Sequence, residues 1–237
     1  MRDIKPYLNL QVVWTPEDGD NIDQEIEADY GGLVVLQTIL DGRLQPSKYP
    51  GIYNCIVGLA FFGTPFRGTD SIFHTKMLQH AEMMQMSVYH ENYKIFEPCN
   101  DSLLNVVDSF LETTGDGDLK PRTICFYETK RTDVGRLIRH AGDADTNEDK
   151  NLVTILVNSH SGRLDPNKST DYWSRACDHF DVNKFSNPDD GDFERLVDEL
   201  KTMIKDGPGM IHQRSQGMSR PRAKGRHSVS SFESNRH

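Results

Sequence analysis

Nearly continuous apolar runs mark the segments of the chain that are expected to be buried on both faces. Cys55–Phe62 reads CIVGLAFF and Thr123–Tyr127 reads TICFY, and both runs are followed by turn-forming or polar residues. Short runs of this kind are typical of strands in parallel sheets, which are covered on both sides. Leu152–Val157 has the same character, so the pattern predicts a third buried strand.

Helical stretches separate these runs. Leu33–Leu40 is apolar almost all round, as in a buried helix, and it is predicted to end at Asp41-Gly42. Thr75–Phe96 and Ser102–Glu112 have helical spacing, and Phe193–Ile204 carries an apolar stripe. Helices that alternate with buried strands predict an α/β fold with a mostly parallel sheet flanked by helices.

The two ends of the chain lack this organisation. Residues 1–28 form a poorly defined segment, in which Leu8–Trp14 could be a short strand and residues 15–28 include six acids. Gly207-Pro208-Gly209 is expected to break the last helix. Residues 206–237 are expected to form a disordered basic tail, because they contain almost no apolar side chains. These boundaries leave residues 29–205 as the folded domain.

Charge and composition exclude several classes of function. The net charge is −9, yet residues 205–237 hold seven Lys/Arg against two Asp/Glu, so the remaining 204 residues are strongly acidic. An acidic body argues against nucleic acid as a partner. No apolar run approaches the ~18 residues of a membrane span, and the first residues lack a secretory signal pattern. Four scattered cysteines without a CxxC pair indicate free thiols in an intracellular compartment, with no metal site and no cofactor.

Four polar segments lie where an α/β sheet presents functional residues, at or just beyond strand ends. Asp29-Tyr30-Gly31-Gly32 opens the first predicted helix, and Gly63–Asp70 follows the first clear strand. Glu128-Thr129-Lys130 follows the second strand, and Asp178-His179-Phe180 precedes the last helix. A helix-top residue, then an acid, then a histidine is the chain order of the α/β-hydrolase triad.

The same segments resemble the fungal lipase-like α/β-hydrolases related to the serine-active-site-containing protein, which are often fused to NACHT or NB-ARC modules. The pattern of that family is a GHSxGGLVVKxAL elbow, a GxxFLGTPHRGS segment, a strand ending in FYE and a DHxxMxKF segment. The corresponding stretches here are EADYGGLVV from Glu27, GLAFFGTPFRGT from Gly58, CFYET from Cys125 and DHFDVNKF from Asp178. The resemblance covers about residues 29–204.

The resemblance implies a partial α/β-hydrolase fold whose ancestor was a serine esterase or lipase acting on an ester or lipid substrate. It assigns His179 as general base and Glu128 as triad acid, with Asp29 in the nucleophile position and Tyr30 contributing to the oxyanion hole. It also implies a cytoplasmic protein, in some cases associated with the mitochondrion or endoplasmic reticulum, with protein partners.

The chain departs from this family at its most important residue. Asp29 aligns with the nucleophilic serine, and Glu27 and Phe66 replace a glycine and a histidine. Asp29 could be a carboxylate nucleophile, but a helix cap is the favoured interpretation. His179 could be an ordinary histidine before a helix. Glu128 could equally be a solvated carboxylate or a partner for the basic residues that follow it, with Asp133 as a rival acid.

These departures lead to two hypotheses of different class. Just 28 residues precede the elbow, so much of the N-terminal half of the sheet is expected to be absent. The first hypothesis is a degenerate or truncated serine hydrolase whose full-length form acts on esters, although the chain as it stands is inactive. The second is a catalytically inactive α/β-hydrolase scaffold that acts as a protein-interaction module.

Overall fold

A computed structural model describes residues 22–69, 95, 97–114, 119–134, 153–164 and 170–218. The helices within these ranges are α1 (Ile22–Leu44), α2 (Ile52–Cys55), α3 (Asp101–Thr114) and α4 (Gly191–Met218). The strands are β1 (Gly58–Phe62), β2 (Arg122–Glu128), β3 (Thr132–Asp133), β4 (Val153–Thr154) and β5 (Thr170–Arg175). A 3₁₀ turn, His179–Asp181, lies between β5 and α4.

The main sheet of the described residues has three parallel strands in the order β1-β2-β5. Residue partners run from Gly58↔Arg122 to Phe62↔Phe126 and from Thr123↔Thr170 to Glu128↔Arg175. Parallel neighbours place all three carboxyl ends at one edge of the sheet. The predicted α/β class with a mostly parallel sheet is therefore confirmed for this part of the chain.

Alternating side chains of the sheet face two separate cores. On one side, Leu59, Phe61 and Cys125 pack with residues of α1 and α3. On the other side, Ala60, Phe126 and Trp173 pack with residues of α4. Helices on both faces explain why β1 and β2 read as continuous apolar runs, since neither face of these strands meets water.

An aromatic row crosses the α4 side of the sheet close to its carboxyl edge. Phe62, Phe126 and Trp173 are register partners on the three strands. The Phe62 and Phe126 rings stack at 4.5 Å, and Phe126 meets Trp173 edge to face at 5.1 Å. Phe185, in the loop that follows the 3₁₀ turn, contacts both phenylalanines at 6.2 and 6.4 Å. This row packs beneath the carboxyl ends of the strands.

The location predicted for the third parallel strand is wrong. Within Leu152–Val157, Val153 and Thr154 form a strand, and they pair antiparallel with β3 rather than joining the main sheet. The third parallel strand is β5, whose sequence TDYWSR was not predicted to be a strand. Buried, intermediate and exposed positions are mixed along this strand, so it shows neither an apolar run nor a regular alternation.

The last helix does not end at Gly207-Pro208-Gly209 but continues to Met218. The predicted tail boundary at residue 206 is therefore wrong for residues 206–218, whereas residues 219–237 lie outside the described residues. Tertiary contacts override the low helix propensity of this segment. Gly207 packs closely against Val57, and the buried Arg214 donates hydrogen bonds to backbone carbonyls.

The first helix begins at Ile22, well before the predicted start, so the boundary between residues 28 and 29 falls inside α1. Residues 22–28 include two glutamates and a glutamine, which favour helix without creating an apolar stripe. The helix predicted over Ser102–Glu112 is confirmed as α3. The predictions over Leu8–Trp14 and, almost entirely, over Thr75–Phe96 lie outside the described residues.

Candidate functional site

Three of the four segments singled out in the sequence meet at the carboxyl edge of the sheet. Gly63-Thr64-Pro65 follows β1, Glu128 is the last residue of β2, and His179 lies four residues beyond β5. Because the strands are parallel neighbours, their following loops lie side by side. The arrangement brings the predicted acid and the predicted base together.

Glu128 is buried, with 1% of its surface exposed. Its Oε1 accepts a hydrogen bond from the backbone N–H of Val157, and its Oε2 lies 3.4 Å from Nδ1 of His179. The interpretation of Glu128 as a solvated strand-end carboxylate is therefore wrong. Lys130 and Arg131, the partners considered as a separate alternative, are exposed.

His179 is held by its backbone as well as by its ring. Its N–H donates a hydrogen bond of 3.0 Å to Oγ1 of the fully buried Thr132. The side chain is 10% exposed, and Nδ1 is the ring nitrogen that faces Glu128. This orientation leaves Nε2 as the nitrogen that can face a reacting group, which is the geometry a general base needs.

The glycine of the GTP segment allows His179 to approach the strand end. Gly63 has a φ of +62°, and a Cβ on this residue would lie 2.9 Å from Cε1 of His179. Its N–H donates a hydrogen bond of 2.9 Å to the carbonyl of Phe126, which ties the turn to β2. A glycine is therefore required here both by the backbone conformation and by the histidine ring.

The first polar segment reaches the same loop through a second glycine. A Cβ on Gly32 would lie 2.3 Å from the side chain of Thr64, so α1 packs directly onto the loop after β1. Gly32 thus contacts Thr64, whose neighbour Gly63 contacts His179, which faces Glu128. Residues from all four segments form one continuous set of contacts.

Asp29 and Tyr30 do not occupy a turn between a strand and a helix. Both lie within α1, which begins at Ile22, so Asp29 is not its N-cap and the capping interpretation is wrong. The Asp29 and Tyr30 side chains lie outside what the structure describes. In a continuous helix, the first four N–H groups lack an acceptor, and the N–H of Tyr30 is not one of these. The nucleophile and oxyanion roles at these positions stay predictions.

Other residues around the site are structural. Phe66, which takes the place of the family's histidine, is fully buried and meets Phe61 edge to face at 5.1 Å. Arg67 donates hydrogen bonds to the carbonyls of His160 and Arg163 and so ties two loops together. Asp133, the rival acid, lies in β3 opposite Val153.

The thiols nearest the site are not activated. Burial raises the pKa of Cys177, two residues before His179, to about 11. Burial raises the pKa of Cys125, in the middle of β2, to about 12. Because the thiolate is the nucleophilic form of cysteine, neither side chain is suited to act as a nucleophile near neutral pH.

Two residues around the site have no signal in the sequence. Arg175, the last residue of β5, is 6% exposed and donates hydrogen bonds to three carbonyls of the segment that carries His179. A single arginine in a strand that is itself hard to recognise has no pattern that could mark it. Thr132, which binds the backbone of His179, is equally inconspicuous.

Within the described ranges, no helix combines the length and the apolar character needed to cross a membrane. The same residues contain no group of three or more His, Cys, Asp or Glu that could hold a metal ion. No protein-family model matches the chain, and comparisons with curated proteins and with solved structures find no match.

Proposed function

We propose that this chain is a degenerate or truncated serine-hydrolase-type domain of the lipase and esterase kind, in which the acid and base are kept and the nucleophile is replaced. The observation that carries the proposal is the pairing of Glu128 with His179, 3.4 Å apart at the carboxyl edge of a parallel sheet. Glu128 ends β2 and His179 follows the adjacent strand β5, in the order acid then histidine, as in α/β-hydrolases.

Burial of Glu128 and His179 supports an acid–base role for the pair. A carboxylate that is withdrawn from water loses its hydration and must be compensated by hydrogen bonds or opposite charge. Glu128 receives one hydrogen bond from Val157 and faces the His179 ring with its other oxygen. A carboxylate in this position holds the imidazole in one tautomer and stabilises the imidazolium that forms during acyl transfer.

The chemistry of such a site is acyl transfer to a serine. His179 Nε2 would take the proton of a serine hydroxyl as its oxygen attacks the ester carbonyl, and would then give this proton to the leaving alcohol. Glu128 would keep its charge throughout. Asp29 cannot supply the hydroxyl, and loss of one oxyanion donor alone costs about 2.7–4 kcal/mol of transition-state stabilisation. We therefore expect the chain itself to be inactive on esters.

The second candidate is an inactive α/β-hydrolase scaffold that acts as a protein-interaction module. The placement of Asp29 inside α1 favours it, because a continuous helix lacks the exposed elbow on which a nucleophile is presented. The two candidates share one ancestry and differ in whether the pair can still perform chemistry once a nucleophile is supplied.

The test supplies that nucleophile. The N-terminal half of an active family member, ending in its Gly-His-Ser elbow, would be fused ahead of Tyr30. We expect the chimera to hydrolyse a short-chain p-nitrophenyl ester and to label with a fluorophosphonate probe at the new serine. His179→Ala should abolish turnover, and His212→Ala, an exposed histidine on α4, should leave it unchanged.

Two comparisons make the result decisive. The unmodified chain and Asp29→Ser should both fail to label, since residue 29 lies within α1 and not at a turn between a strand and a helix. A folded chimera that hydrolyses the ester equally well with and without His179 would overturn the assignment of the base. A folded chimera without any turnover would favour the interaction module.

A further inference from the structure

We infer that Arg175 is the positioning residue that holds His179 against Glu128, an assignment that rests on the proposed acid–base pair. Arg175 ends β5 and lies directly opposite Glu128 in the strand register. The chain between Arg175 and His179 is three residues long, so the arginine lies at the base of the loop that carries the histidine.

The guanidinium is bound to the backbone of that loop. Its Nη1 donates to the carbonyls of Asp181, Val182 and Lys184 at 3.0, 2.7 and 2.8 Å. Asp181 and Val182 close the 3₁₀ turn that begins at His179, and the N–H of Val182 bonds to the His179 carbonyl. The arginine therefore fixes the turn from its inner side, and the turn fixes the backbone of His179.

Three further contacts keep the guanidinium in place. It lies over the Phe185 ring with Cζ 4.2 Å from the ring centroid, and Phe185 packs against the aromatic row of the sheet. Carboxylates at the start of α4 balance the charge, with Asp192 at 3.5 Å and Asp190 at 3.9 Å. A stacked, planar fork with several acceptors is a geometry that arginine satisfies and lysine does not.

The backbone of Arg175 also contacts the segment that follows β2. The Arg175 carbonyl accepts hydrogen bonds from the N–H and the hydroxyl of Thr129, which extends the ladder one residue past Glu128. One residue thus binds the end of β2 through its backbone and the histidine segment through its side chain. If Arg175 were replaced, the turn would lose its inner support while the sheet would keep its register.

The experiment measures the accessibility of the His179 ring in the full chain. Diethyl pyrocarbonate modifies exposed histidines, and site-resolved mass spectrometry gives the rate for each one. We expect Arg175→Met to raise the rate at His179 by about tenfold, because hydrogen bonds from a charged donor are the stronger class and their loss favours local opening. The exposed His160 and His212 serve as internal references with unchanged rates.

A matched variant separates positioning from general stability. Arg195 also stacks on an aromatic ring, with Cζ 3.8 Å from the Trp173 centroid, but it lies on α4 and not at the histidine loop. Arg195→Met removes the same charge and a similar stacking contact, and we expect it to leave the His179 rate unchanged. Arg175→Lys should restore part of the protection.

The outcomes are distinguishable from those of the proposed function. In the ester-hydrolysing chimera, Arg175→Met should lower kcat and leave KM unchanged. If the chimera is inactive with Arg175 in place, the proposed function fails, and the modification rates still decide the positioning role. If Arg175→Met does not fold, Asp192→Asn provides a milder perturbation and should raise the His179 rate severalfold. Folded variants with unchanged His179 rates would overturn the inference.

Discussion

Glu128 and Arg175 are register partners at the carboxyl end of the β2–β5 ladder, and both act on His179 by different routes. Glu128 reaches the ring directly, with Oε2 3.4 Å from Nδ1. Arg175 reaches the backbone of the same segment through its carbonyl contacts. One pair of strand residues therefore sets both the orientation of the imidazole and the position of the turn that carries it.

Replacement of Glu128 should lower the free energy of unfolding, by an amount that depends on whether the new side chain still accepts a hydrogen bond from Val157. Glu128→Ala leaves the buried N–H of Val157 without its acceptor and removes the group facing His179, so we expect a loss of about 2–4 kcal/mol. Glu128→Gln keeps an acceptor for Val157 and should cost less. Urea unfolding measures both, with Glu112→Gln, an exposed residue of α3, as the neutral control. Equal losses for the two Glu128 variants would contradict this account.

Gly63 should be intolerant of a side chain. Its φ of +62° costs other residues about 1–2 kcal/mol, and the new Cβ would meet Cε1 of His179. We expect Gly63→Ala to lower the urea midpoint and to raise the modification rate of His179. The matched control is Gly209→Ala in α4, where nothing lies within 4 Å and the change should stabilise the helix by up to about 1 kcal/mol. A stable Gly63→Ala with a protected His179 would show that the close approach is not required.

The strands could be predicted where both of their faces are covered. β1 and β2 read as apolar runs because helices pack on both sides of them. β5 reads as TDYWSR, in which Trp173 alone carries a large buried apolar side chain, so no run or clean alternation marks it. The run at Leu152–Val157 is apolar because Leu156 and Val157 are buried in a small separate cluster, not because it joins the sheet.

The site could be predicted where a residue belongs to a motif. Glu128 and His179 follow from the FYE and DHF segments, and the structure brings them together. Arg175 could not be predicted, because its acceptors are backbone carbonyls. Every residue type has such a carbonyl, so the amino-acid sequence does not mark these acceptors. The continuation of α4 beyond Gly207 could not be predicted for a related reason. Tertiary contacts with residues distant in the sequence outweigh the low helix propensity of Gly and Pro.

We expect the C-terminal half of α4 to contribute to stability, because Arg214 in this half makes several buried hydrogen bonds. Arg214 is buried, and its guanidinium donates to the carbonyls of Leu119, Tyr53 and Ile56. We expect Arg214→Met to cost about 2–4 kcal/mol, because several buried acceptors lose a charged donor at once. Truncation after Ile204 should cost at least as much. Thermal unfolding checks both against Lys201→Met, an exposed residue of the same helix whose loss should cost under about 0.5 kcal/mol. An unchanged melting temperature after truncation would mean that the extension does not hold α2 and the loop at residue 119.

The buried thiol of Cys125 should make the protein sensitive to alkaline pH. Burial raises the pKa of Cys125 from 9.0 to about 12 in the folded state. Above pH 9 the unfolded chain releases this proton while the folded chain keeps it, so the free energy of unfolding falls as pH rises, until the folded thiol also ionises near pH 12. The contribution approaches about 1.4 kcal/mol per pH unit within this window. Urea unfolding between pH 8.5 and 10.5 should therefore show a shallower decline for Cys125→Val than for the wild type, and Cys99→Ala, which changes an exposed thiol, should match the wild type. Identical slopes for all three proteins would show that the Cys125 thiol ionises as readily in the folded state as in the unfolded chain.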